Sequence, residues 1–268
     1  MILSNLHSHT TYSDGLNTPL QMIEKAIELN FESIGFSEHA QCGFDIDCKE
    51  IEKKDQKAYF NLLESYKEKY PEINIFKGLE LDSLNPTHEG NLDYSIGSIH
   101  FLKIKGQIIP IDFDAEKLIS AIELVGGKKL FVIKYYEEVL NFAKTCNFDI
   151  MGHLDIYTKF NEQIKIFNTS EKWYLDIVTN TIEELNKLDK IIEINTGAIA
   201  KGYRTTPYPD LPIFKILKDL NSKIIVGSDT HSINHLNCKF DYVEQLLKEN
   251  NISKIYTLTK EGFKEKSL

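Results

Sequence analysis

The sequence predicts an α/β protein, a TIM-like (β/α) barrel with its active site at the C-terminal ends of the strands. Short apolar runs alternate with longer segments of helical periodicity, which argues a parallel sheet covered by helices. Seven or eight such units in 268 residues fit a closed barrel better than an open doubly wound sheet. Nearly every apolar run ends on His, Asp or Glu, and in a barrel such positions converge on one face.

Taken in order, the first run, 2–6, leads into His7-Ser8-His9, with Asp14 close behind. A helix over 18–29 follows, because Thr18 is an N-cap type, Pro19 suits the first turn, and Ile23, Ala26 and Ile27 share a face. Run 33–36 leads to Glu38-His39, and a highly charged helix is expected over 49–70, with Phe60, Tyr66 and Tyr70 as packing residues. Run 73–79 ends at Glu80, with Asp82 two residues on, and 94–99 ends at His100. Helices are expected at 115–124 and 135–145. Run 148–152 leads to His153-Leu154-Asp155, and after a helix at 170–188 run 191–194 leads to Asn195, with Glu193 near its end. A helix at 211–220 precedes run 223–226, which leads to Asp229-Thr230-His231. A helix at 240–250 and a weak strand at 254–258 complete the pattern, and 1–268 reads as a single domain.

The chain is acidic, with a net charge of -9, so it lacks the basic footprint of a general nucleic-acid binder. An anionic substrate must be drawn in locally, by metal ions or a few placed cations. Cysteines at 42, 48, 146 and 238 form no C-x-x-C pair, and are read as reduced thiols of a cytoplasmic protein. No apolar run approaches the ~18 residues of a membrane span, and the first ten residues carry no basic leader pattern. Neither a membrane nor a nucleic-acid partner is expected, and no motif fixes an oligomeric state.

Of eight histidines, six fall at strand ends: 7, 9, 39, 100, 153 and 231. Imidazoles and carboxylates buried together repel or desolvate one another unless a cation is present. In an extended chain, residues two apart point the same way, so His7 and His9 can grip one ion, as can Asp229 and His231. Imidazole and carboxylate without thiolate suit Zn, Mn, Fe or Co. The candidates are too many for one ion, and two to three divalent ions are expected.

The ordered set His7-x-His9, Ser13-Asp14-Gly15, Ser37-Glu38-His39, Gly78-x-Glu80, Gly97-Ser98-Ile99-His100, Gly152-His153-x-Asp155 and Gly227-Ser228-Asp229-x-His231 resembles the motifs of the PHP (polymerase and histidinol phosphatase) family. The resemblance implies a distorted (β/α)7 barrel with a trinuclear metal centre. Carried over, His7, His9, Glu80 and Asp229 hold one ion. Glu80 bridges to a second held with His100 and His153. Asp14, His39 and His231 hold the third, with Asp14 standing where some family members use histidine. Residues 193–202, EINTGAIAKG, and the chain length are similar to the histidinol-phosphate phosphatase branch. That branch implies hydrolysis of L-histidinol phosphate to L-histidinol and inorganic phosphate, a step of histidine biosynthesis.

The expected chemistry is in-line attack on phosphorus by a metal-bridging hydroxide, with Glu80, Asp229 and His231 as the catalytic set. Asp229 and His231 are the candidate donors to the leaving alkoxide. Arg204, Lys159 and Asn195 are the candidate substrate contacts, since phosphate recognition recruits cations and amides. Lys201 is expected to be a solvated surface cation. Asp82 and Asp155 are expected to orient ligand histidines. Acidic loops around Asp45, Asp47 and Glu162 suit a cationic leaving group. Competing readings are a nucleotide phosphoesterase or exonuclease of the same family, a non-catalytic metal-stabilised binding module, and a metal-dependent amidohydrolase.

Overall fold

A computed structural model describes residues 1–43 and 49–268. The elements are β1 (Ser4–Asn5), α1 (Pro19–Glu28), β2 (Ser33–His39), α2 (Lys53–Lys69), β3 (Asn74–Asp82), β4 (Ile96–Ser98), β5 (Phe101–Ile104), β6 (Gln107–Pro110), α3 (Ala115–Val125) and α4 (Lys128–Thr145). Then come β7 (Ile150–Met151), α5 (Asn161–Ile164), α6 (Lys172–Lys187), β8 (Ile191–Asn195), α7 (Gly197–Ala200), α8 (Leu211–Asp219), β9 (Ile224–Gly227), α9 (Phe240–Glu249), β10 (Lys254–Thr259) and β11 (Gly262–Ser267).

Seven parallel strands run in the order β1-β2-β3-β4-β7-β8-β9. The ring closes beyond the last strand pair, where Ser8 bridges Thr230 in parallel. His9 N donates to Thr230 O at 2.8 Å, and Thr230 N donates to His7 O at 3.2 Å. The two segments that seal this distorted barrel therefore carry His7, His9, Asp229 and His231.

The N-cap expected at Thr18 is realised. Thr18 and Gln21 form a reciprocal capping box at α1, and Asp114 caps α3, which stops at Gly126 in a left-handed conformation. Two helix starts differ from expectation by more than two residues. Helix α2 begins at Lys53, because Ile51 is still extended and bridges Ala40. Helix α4 begins at Lys128, well before residue 135, because Gly126 and Gly127 end one helix and release the next, whose buried stripe already starts at Phe131.

The weak strand expected at 254–258 exists, but it lies outside the barrel. It pairs antiparallel with β11, and Leu258 packs with Leu6, Phe76, Ile96, Ile150, Ile191 and Ile225. Apart from Leu6, those residues lie toward the N-terminal ends of their strands, so the hairpin closes that end of the barrel. Above this layer Tyr94 fills the lumen and donates its hydroxyl to Leu6 O. A Cβ at Gly35 or Gly78 would sit 2.4 Å from Tyr94 atoms, which is why both strands carry glycine there. Among the described residues, no helix is long and apolar enough to cross a membrane.

Candidate metal centre and active site

The parallel register brings the strand ends level. His39 pairs with Glu80 across β2 and β3, and Asp82 with Ser98 across β3 and β4. Glu80 then stands at the centre. Its carboxylate lies 3.5 Å from His7 Nε2, 3.6 Å from His9 Nε2, 2.9 Å from His39 Nδ1, 3.4 Å from His100 Nε2 and 2.9 Å from His153 Nε2. Ser98 Oγ donates to Glu80 Oε1 at 2.6 Å and fixes its rotamer.

Asp14 and Asp229 complete the set from the rim. His231 Nε2 lies 3.1 Å and His39 Nε2 3.6 Å from Asp14, and His9 Nε2 lies 3.3 Å from Asp229. His9, Asp14, His39 and His231 form one group whose donor atoms all lie within 4.8 Å of one another, and Glu80, His100 and His153 form another. His7, His9 and Glu80 form a third, and His7, His153 and Asp229 a fourth. All nine residues expected as ligands thus fall in this cluster.

The donor chemistry fits divalent metal. His7 Nε2, both nitrogens of His9, His153 Nδ1 and Glu80 Oε2 are buried without a hydrogen bond, which a folded protein rarely tolerates unless a ligand satisfies them. Burial, reinforced by the His39 and His231 rings, pushes the His9 imidazole down to about 3, so it is a neutral donor. Burial opposes ionisation of Glu80, yet His7, His100 and His39 hold its pKa well below the usual carboxylate range. The centre therefore already needs positive charge around Glu80. Backbone at His153 and Asp229 is left-handed, with φ of 22° and 46°. Such strain at non-glycine residues persists where the surroundings impose it, and it concentrates at functional sites.

Glu193 holds the centre from behind. Its carboxylate lies 2.8 Å from His7 Nδ1 and accepts from His153 N at 3.0 Å and from Asn195 Nδ2 at 2.9 Å. Gly227 makes room for it, since a Cβ there would fall 2.0 Å from Glu193 Oε1. Asp82 accepts from His100 N at 2.9 Å, and its Oδ2 lies 3.5 Å from His100 Nδ1. Glu38 points to the other face of its strand, where Thr10, Ser13 and Tyr59 donate to it, and so pins the loop that carries Asp14. Glu193→Gln is expected to weaken metal affinity about 10–100-fold, read by competition against a fluorescent chelator.

Above the centre opens a cavity of about 560 Å³, lined by Asp14, His39, Glu80, Asp229 and His231 on one side and by Lys159, Lys201 and Asp112 on another. Lys159 lines the cavity, with its ammonium 2.7 Å from Asp112 O. Lys201 is solvent-accessible as predicted, but it also lines the cavity; burial works to lower its pKa, while Asp229, Asp14 and Asp112 raise it overall.

Arg204 does not line the cavity. It is buried, its guanidinium lies 2.9 Å from Asp210 Oδ1, and it also donates to Thr158 and Thr206. The phosphate role expected of it is corrected on that ground, because its donors are already committed. Asn195 is likewise buried, between Glu193 and Gly197 N, and positions Glu193. Asp155 bonds no histidine; it accepts from Asp210 N at 2.9 Å, and burial pushes its carboxyl up to about 7. Glu162 accepts from Thr205 N and holds that loop, while Asp45 and Asp47 lie outside the described residues.

Fold and site together define a metal-binding barrel of hydrolase type. The sequence model of the PHP domain matches residues 5–197, and the chain belongs to the PHP domain family. It is 25% identical over 253 residues to the histidinol-phosphatase of Bacillus subtilis, a match that covers 84% of this chain and 92% of that one. A histidinol phosphatase candidate of Listeria monocytogenes, HisK, superposes with a TM-score of 0.79 at 22% identity, covering 89% of this chain and 99% of that one. The Lactococcus lactis histidinol phosphate phosphatase, solved with zinc, L-histidinol and phosphate, gives 0.77 at 20% identity, covering 98% of this chain and 99% of that one.

Proposed function

We propose that this chain is a metal-dependent phosphomonoesterase that hydrolyses L-histidinol phosphate to L-histidinol and inorganic phosphate. The observation that carries it is the Glu80 carboxylate within 3.6 Å of five imidazole rings, at the floor of a cavity lined by Lys117, Lys159 and Lys201. The named relatives support the substrate.

The ligand roles follow the motif order: His7, His9, Glu80 and Asp229 for one ion; Glu80, His100 and His153 for a second; Asp14, His39 and His231 for a third. Two to three ions, of Zn, Mn, Fe or Co, fit so many donors. Ions held there would neutralise phosphoryl oxygens and make hydroxide available from water near neutral pH.

The chain's own cations do the positioning. Lys201 and Lys159 would draw the phosphoryl group onto the centre and fix its orientation for attack opposite the leaving oxygen. The P–O ester bond breaks as water's oxygen bonds to phosphorus. The proton that water gives up passes to the ionised Asp229 carboxylate or to His231 at the rim, and from there to the leaving alkoxide.

We read 1–268 as one working unit, because the β10–β11 hairpin packs into the barrel's own core. We also propose a cytoplasmic setting, in which the cysteines at 42, 48, 146 and 238 stay reduced.

Phosphate release from L-histidinol phosphate, a nucleoside 3′,5′-bisphosphate and p-nitrophenyl phosphate tests the reading. Histidinol phosphate is expected to lead in kcat/KM. A nucleotide ahead by about tenfold or more would replace the substrate and leave the chemistry standing. Lys201→Ala is expected to raise KM by about 10–100-fold, as loss of a charge-assisted contact does. An unchanged KM would remove Lys201 from phosphate binding.

A further inference from the structure

The cavity wall opposite the donor set comes from the β5–β6 hairpin and the chain leaving it, with Phe101, Ile108, Pro110, Asp112 and Phe113. Both ends of the hairpin are tied to one point. Strand β5 starts directly after His100, and Ile111 N donates back to His100 O at 2.9 Å. Asp112 and Phe113 are therefore held at a fixed place beside a candidate metal ligand.

Three carboxylates line the cavity outside the donor set: Glu50, Asp82 and Asp112. Glu50 accepts from Cys42 N at 3.0 Å. Asp82 accepts from Leu84 N at 3.0 Å and His100 N at 2.9 Å. Asp112 serves no backbone amide among the described residues. Its carboxylate has one partner there, Lys159 Nζ, at 3.4 Å from Oδ2, and that ammonium sits closer to Asp112's own carbonyl, at 2.7 Å. On the same rim Phe113 is half exposed, and its ring already takes a cation, with Lys117 Nζ 3.9 Å from the centroid.

We propose that Asp112 and Phe113 read the alcohol half of the substrate and select phosphate esters whose alcohol carries a cation and a flat ring. This rests on the substrate reading above. When the phosphoryl group engages Lys159, that lysine's hold on Asp112 weakens. A neutral alcohol then leaves the carboxylate without its hydrogen-bonded cation in a half-closed cavity, with His100, His153 and Lys201 acting on it only through space, which is costly. A cationic alcohol takes the place that Lys159 gives up. The face of Phe113 receives the same cation or stacks on the planar ring. The Lys159–Asp112 pair thus couples phosphate binding to the choice of leaving group.

The test compares kcat/KM for L-histidinol phosphate with that for p-nitrophenyl phosphate, in metal-loaded full-length wild type, Asp112→Asn and Phe113→Ala. The quantity read is the ratio of the two. Asp112→Asn is expected to lower the ratio by about tenfold or more, and Phe113→Ala by about threefold or more. Asp112→Glu should restore part of it. Should Asp112→Asn not fold, as thermal melting would report, Phe113→Ala carries the same comparison. A ratio in Asp112→Asn within about twofold of wild type overturns this inference alone, provided wild type prefers histidinol phosphate. Absence of that preference in wild type overturns the substrate reading and this inference with it.

Discussion

Glu80→Ala is expected to lower turnover by at least ~10³-fold, because it removes the carboxylate that two of the candidate ion sites share. Five imidazoles would lose the group they surround, and bound metal should fall with activity. Glu80→Gln separates charge from shape, since it keeps the bond from Ser98 and loses the bridging carboxylate. It should fail nearly as badly. Steady-state phosphate release with elemental analysis of the same preparations checks both. Activity within about tenfold of wild type would show that Glu80 is not the bridge.

Arg204→Ala is expected to act on stability. The side chain is buried against Asp210, with Asp155 nearby, and deleting one partner of a buried charge cluster costs about 3–5 kcal/mol. For a chain of this length that lowers Tm by on the order of 10 °C. The KM of the folded fraction should stay near wild type, because the guanidinium does not line the cavity. A raised KM with an unshifted Tm would return Arg204 to the substrate.

Most of the fold and the donor set was legible because each rests on a local rule. Strand ends in a barrel converge, and a residue two positions on points the same way, so His7, His9, Asp229 and His231 could be assembled from sequence alone. Charge by itself misdirected the reading of the cations. Arg204 and Lys201 lie three residues apart after the same strand, and only packing decides that one is buried against Asp210 while the other borders the cavity. Glu193 was visible as a strand-end carboxylate, but its hold on His7 depends on the space left by Gly227, from the neighbouring strand. Asp112 gave no signal at all. It arrives on the β5–β6 hairpin, whose short strands carry little periodicity, and its place is set by the return bond from Ile111 to His100. Asp155 shows the same limit: its spacing from His153 suggested support for a histidine, while the chain turns it toward Asp210 N.

The central claim is that the cluster around Glu80 binds divalent ions and that these make the chain a phosphatase. The most direct measurement strips the protein with a chelator, then restores ions stepwise and follows phosphate release from L-histidinol phosphate beside metal content and Tm in one sample. The account predicts loss of activity and a lowered Tm on stripping, and recovery of both as two to three equivalents return. Full activity in protein shown to be metal-free would contradict it.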